Sequence, residues 1–76
     1  MTSELKKFLD QVKAGMVQVK AGGSAGDVEY TTLIKLDPAN IEDVTSTCFE
    51  RGLVDTSAFK DWDDLEAQVR TYMEAQ

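Results

Sequence analysis

Histidine is absent from this 76-residue chain, and cysteine and proline occur once each. Each scarcity removes a class of chemistry. Without histidine the commonest general base is missing, and no Cys/His zinc set can assemble within one chain. With Cys48 alone no internal disulfide can form, which suits a reducing compartment. No apolar run approaches the roughly 18 residues needed to span a bilayer. The opening Met1-Thr2-Ser3-Glu4-Leu5-Lys6-Lys7 leads into an amphipathic stretch and not into a signal-peptide core. A cytoplasmic location in the producing or infected cell is therefore expected. No repeat, low-complexity tract or linker divides the chain, so residues 1–76 are expected to form a single domain.

What is present is acid, and it is unevenly placed. Residues 1–36 hold five lysines against four carboxylates, whereas residues 37–76 hold three basic residues against ten acidic ones. The first part carries +1 and the second −7, which gives the net charge of −6. An apolar fraction of 42% with 29% charged residues is that of a folded protein. A domain of this size buries only about 60–65% of its unfolded surface, so its core supplies a margin of only about 3–5 kcal/mol.

Three segments carry a clear period. Leu5, Phe8, Leu9, Val12 and Met16 fall on one face of a helix over residues 3–14, with Thr2 or Ser3 as N-cap and Gly15 just past its end. The period then becomes two. Val17, Val19 and Ala21 alternate with Gln18 and Lys20, and after the loop Gly22-Gly23-Ser24-Ala25-Gly26-Asp27 a stronger strand runs from Val28 to Leu36. The short Gly-rich connection predicts an antiparallel hairpin. At the other end, Asp61 caps a helix whose apolar positions are Trp62, Leu65, Val69, Tyr72 and Met73. Asp63, Asp64 and Glu66 sit in its first turns, where the helix dipole favours negative charge, and Arg70 follows Glu66 at i+4.

The middle segment has two readings. Asp37 as N-cap, Pro38 at N1, the spacing of Ile41, Val44 and Cys48, and Gly52 as a terminator predict a helix over about 38–51. The β-branched run from Val44 to Phe49, with Arg51-Gly52 as a turn, predicts a hairpin instead. The expected fold is accordingly α+β: an N-terminal helix, an antiparallel hairpin, then two helices packed on one sheet face. The alternative is a helix, a three- or four-stranded antiparallel meander and a C-terminal helix. Two strands leave two open edges, and the strand face carrying Leu33 lacks a cover. Either residues 43–50 add a third strand or another chain pairs with the sheet, and the second case predicts a homodimer.

Three motifs suggest chemistry and fail on spacing. An EF-hand counted from Asp61 would put Leu65 at position 5, Glu66 at the position that needs Gly, and Tyr72 at position 12. Capping carboxylates are the better reading, and no metal is expected. Gly22 to Gly26 is followed by Asp27 and a strand, not by Gly-Lys-Ser/Thr and a helix, so it is no phosphate loop. Cys48 shares a stripe with Ile41 and Val44, which reads as a small buried hydrophobe; its only nearby cation, Arg51, is expected to point outward. No cofactor and no catalytic residue is assigned, and the chain is not expected to be an enzyme.

The reading that remains is a small acidic protein–protein interaction factor with a regulatory, adaptor or assembly role. The residues expected to meet a partner with a basic surface are Glu42, Asp43, Asp61, Asp63, Asp64 and Glu66. Phe59 and the loop residues Gly22, Gly23 and Ser24 are secondary candidates. The alternative is a phage-type inhibitor or DNA mimic. Between Asp37 and Glu66 there are nine carboxylates and two basic residues, and ordered rows of carboxylates resemble the phosphate rows of a duplex. Direct nucleic-acid binding is not expected, because the lysines are spread over a helix and two strands. Nor is an anionic membrane, which an acidic chain would be repelled by.

Overall fold

The computed structural model describes residues 1–75. Its elements in chain order are α1 (Ser3–Lys13), β1 (Gln18–Ala25), β2 (Val28–Lys35), α2 (Ile41–Glu50) and α3 (Trp62–Glu74), with a 3₁₀ turn at Thr56–Ala58 before α3. The class is α+β and the order is helix, antiparallel hairpin, helix, helix. The middle segment is the helix; its β-branched run is overruled because Val44, Thr45 and Cys48 all face the core. The one hydroxyl buried there, Thr45 Oγ1, is satisfied by donating to the Ile41 carbonyl at 2.7 Å.

The cap of α2 differs from expectation. Asn40, not Asp37, is the N-cap, and its side-chain oxygen accepts from the Asp43 N–H at 3.2 Å. Asp37 closes a separate turn around Pro38, accepting from the Ala39 N–H at 2.9 Å. The far end of α2 is a Schellman motif. The Gly52 N–H donates to Phe49 O and the Leu53 N–H to Cys48 O, which requires the φ of +69° at Gly52. Helix α1 starts on Thr2, whose hydroxyl accepts from the Leu5 N–H at 3.2 Å. It stops at Gly15 by the same bonding pattern, leaving Met16 outside the helix and 73% exposed.

The core is a three-helix cluster. Leu5, Phe8, Leu9 and Val12 of α1 pack with Val44 and Cys48 of α2 and Leu65 and Val69 of α3. Burying a side chain of this kind is worth about 1.5–3 kcal/mol. Phe59 and Tyr72 lie half-buried against the cluster. Tyr72 Oη donates to Asp10 Oδ1 at 2.8 Å, and Lys13 Nζ donates to the Ala75 carbonyl at 2.6 Å, so the ends of α1 and α3 are tied side by side.

The hairpin is where the packing departs from expectation. The helices lie against one another and not across the sheet. Only the base of the hairpin, through Val17, Val19 and Leu36, joins the core. Among the described residues no helix Cα lies within 8 Å of a strand Cα, and every residue of β2 is exposed. The hairpin is therefore an arm. It lengthens the molecule to 43 × 25 × 18 Å and raises the radius of gyration to 13.9 Å, against about 11 Å for a compact chain of this length. The connection is also shorter than the sequence suggests. Gly22, Gly23 and Ser24 are not loop residues but lie within β1, paired with Thr31, Tyr30 and Glu29. Only Gly26 and Asp27 turn the chain, with φ +64° at Gly26, as the first position of a II′ turn needs. Pairing with β2 satisfies backbone groups that a longer loop would leave to water, and the Tyr30 ring lies across Gly23, where a Cβ would come 2.5 Å from its hydroxyl.

Candidate functional site

The six carboxylates predicted to meet a partner sit on α2 and α3, but four of them are already engaged locally. Asp43 accepts from Asn40 Nδ2 at 3.0 Å. Asp61 caps α3 by accepting from the Asp64 N–H at 2.8 Å. Asp64 accepts from the Lys60 N–H at 3.1 Å and from Gln68 Nε2 at 3.3 Å. Glu66 pairs with Arg70 at 3.3 Å, as the i+4 spacing predicts. An exposed pair of this kind contributes only about 0.3–0.5 kcal/mol. Glu42 and Asp63 carry no such bond among the described residues and remain open to solvent.

The acids also do not form one face. The start of α2 lies beside the middle of α3, so Glu42 and Glu66 line a polar groove together with Asp37, Glu74 and the Arg70 guanidinium. Asp63 continues this surface along α3 beside Glu66 and Arg70. Asp61 lies at the other end of α3. Among the described residues no group of acidic side chains or Cys48 is clustered closely enough to hold a metal ion.

At the Asp61 end the surface changes character. Phe49 of α2 and Trp62 of α3 meet edge to face, with ring centroids 5.8 Å apart and an interplanar angle of 69°. They form the wall of a groove floored by Val54, Phe59 and Leu65, with Lys60 and Asp61 at its margin. Phe49 is 52% and Trp62 40% exposed. The groove holds about 210 Å³, below the 300–1,000 Å³ of sites that enclose a small molecule. Its size suits one or two side chains.

The helical spacing counts Trp62 among the apolar positions of its helix, and Phe49 is not among the expected contact residues. A signal was available for both. Phe49 lies one residue off the Ile41, Val44, Cys48 stripe, and Trp62 immediately follows the N-cap, where the first turn of a helix projects beyond its packed face. Phe59, a secondary partner candidate, lies half-buried at the edge of the core.

Cys48 is fully buried. Burial pushes its thiol up to about 11, against smaller opposing effects of its backbone hydrogen bond and of Arg51. The neutral thiol predominates near pH 7, so it is a packed hydrophobe and not a poised nucleophile. Arg51 does not point away from the fold. Its guanidinium stacks over the Phe8 ring at 5.1 Å and donates to the Gln18 carbonyl at 3.3 Å, bridging α2 to the base of the arm. No helix of the described residues is long and apolar enough to cross a membrane. No protein-family model, curated protein or solved structure matches the chain.

Proposed function

We propose that this chain is a non-catalytic protein–protein interaction factor whose helical body docks a protein with a basic, apolar-studded surface. The observation that carries the proposal is the exposed Phe49–Trp62 pair over an apolar groove. Aromatic residues at the centre of a desolvated patch are the side chains that most often dominate binding energy. Asp61 stands at the margin of this patch, and Glu42, Asp63 and Glu66 line a separate polar surface of α2 and α3, where they accelerate encounter with a basic partner more than they tighten the complex.

The test is a tagged pull-down from nuclease-treated lysate of the producing cell, eluted by stepped salt, with Phe49→Ser/Trp62→Ser and Glu42→Lys/Asp63→Lys compared with the unaltered chain. Glu42 and Asp63 are chosen because Asp61 and Asp64 also cap α3, and reversing those charges would unfold the site under test. A basic protein that is lost with the aromatic double change and eluted at lower salt with the charge reversals supports the proposal. A partner retained by both variants overturns it.

A second reading rests on a separate observation, the four carboxylates Asp37, Glu42, Glu66 and Glu74 gathered around Arg70. In this reading the acidic groove occupies the basic channel of a nucleic-acid-binding protein as a DNA mimic. It requires that added duplex DNA displace the captured protein and that the aromatic changes leave capture intact.

A further inference from the structure

The arm offers a pairing edge whose hydrogen-bond phase and charges are complementary to themselves. The turn is two residues long, so Ala25 and Val28 exchange hydrogen bonds, and so does every second pair down to Val19 and Ile34, with a single further bond between Val17 and Leu36. At that last pair the Leu36 N–H donates to Val17 O at 2.9 Å. The backbone groups of Val28, Tyr30, Thr32 and Ile34 therefore point into the hairpin. Those of Glu29, Thr31, Leu33 and Lys35 point outward, and no other element lies against that edge. Natural edges are guarded by bulges, proline or brevity. This one has no bulge, proline or shortness, since eight successive residues pair without interruption, and its only guards are the charges Glu29 and Lys35.

We propose that two copies of this chain join through antiparallel pairing of their β2 edges, with Thr32 on the two-fold axis. Only registers that set the outward residues opposite one another satisfy the backbone. With Thr32 facing its own copy, Thr31 faces Leu33 and Glu29 faces Lys35, in both symmetry-related halves. Glu29 and Lys35 are the only charges on β2, and neither is in an ion pair within the chain, where the single pair among the described residues is Arg70–Glu66. The register thus creates two opposite-charge pairs and leaves no charge unmatched along the seam. The β1 edge lacks this property, since Lys20 is its only charge and small residues fill its outer half.

The same register addresses the uncovered apolar side of the arm. Val17, Val19 and Leu36 mark the sheet face that packs on the helices. Val28, Tyr30 and Ile34 continue that face outward and are exposed. Pairing sets Val28 of one copy beside Leu36 of the other, so the apolar tip of each arm lies next to the partner's helical body. The two bodies, which carry the acidic half of the sequence, attach about 26 Å apart at 3.3 Å per residue. That exceeds the roughly 8 Å over which charge is screened at physiological salt. The result is a four-stranded sheet in the order β1-β2-β2-β1.

The test is sedimentation equilibrium from micromolar to millimolar protein, with three variants. Thr31→Pro removes an outward N–H without breaking a bond of the hairpin, and is expected to yield monomer. Glu29→Lys sets like charges opposite each other twice and is expected to weaken dimerisation by about tenfold or more, whereas Glu29→Lys combined with Lys35→Glu restores it. Thr32→Cys sets two cysteines at a non-hydrogen-bonded pair with Cα atoms about 4.5 Å apart, within disulfide range. It is expected to yield a covalent dimer on mild oxidation, and Ser24→Cys on the other strand is not. A monomer throughout the concentration range overturns the proposal. So does a dimer indifferent to the charge reversal and its swap, or one that cross-links through Ser24→Cys and not through Thr32→Cys.

Discussion

Raising the pH from 7 to 10 acts on Cys48 before it acts on any other buried group of the core. The thiol is fully enclosed and titrates near 11 in the folded chain, against 9.0 when solvated. Because the folded value is raised, the stability contributed by the neutral thiol is fully present below pH 9 and is lost as the pH climbs from 9 through 11. At pH 10 the unfolded thiol is mostly ionised and the folded one is not, which removes roughly 1 kcal/mol; complete ionisation in both states removes roughly 3 kcal/mol. Against a total margin of about 3–5 kcal/mol, that is enough to populate the unfolded chain. The assay is urea unfolding followed by circular dichroism at half-unit steps from pH 7 to 10.5, comparing the native chain with Cys48→Ala. The alanine chain starts less stable because of its cavity, so the slopes are compared and not the midpoints at one pH. Tyr72, raised by its hydrogen bond to Asp10, titrates in both chains and cancels. The native chain is expected to lose stability more steeply above pH 9. Equal slopes would refute the reasoning, as would rapid thiol labelling of the folded chain at pH 8.

Two further predictions follow from backbone ends. Asn40→Ala is expected to cost about 1 kcal/mol and Asp37→Ala distinctly less, because only Asn40 caps α2; thermal melts of the two variants decide this, and a larger loss at Asp37 would restore the cap expected from sequence. Gly52→Ala is expected to cost about 1–2 kcal/mol by forcing a Cβ into the left-handed region, although nothing lies within 4 Å of that Cβ. Urea midpoints measure it, and an unchanged midpoint would mean that the end of α2 can rearrange.

The helices were legible because their signals are local. The 3.6-residue spacing of Leu5, Phe8, Leu9 and Val12, the caps at Thr2 and Asp61, and the terminators Gly15 and Gly52 depend on neighbours within one or two turns. Gly22, Gly23 and Ser24 read as loop because composition records their low strand propensity. It does not record the ladder partners Thr31, Tyr30 and Glu29 that hold them extended. Trp62 shares the apolar spacing of Leu65 and Val69, and its half-exposed place beside Phe49 follows from how α2 turns back against α3.

The sequence by itself therefore determined the α+β class, the order of elements, the burial of Cys48 and the concentration of acid on the later helices, all of which follow from local periodicity and charge. Only the tertiary structure decided that the helices cover one another and leave the hairpin standing as an arm. It also decided that the acids divide between capping bonds and an open groove, and that two aromatic rings remain at the surface. Those outcomes depend on which apolar stripes meet, and long-range packing of that kind is not encoded in the period of any one segment.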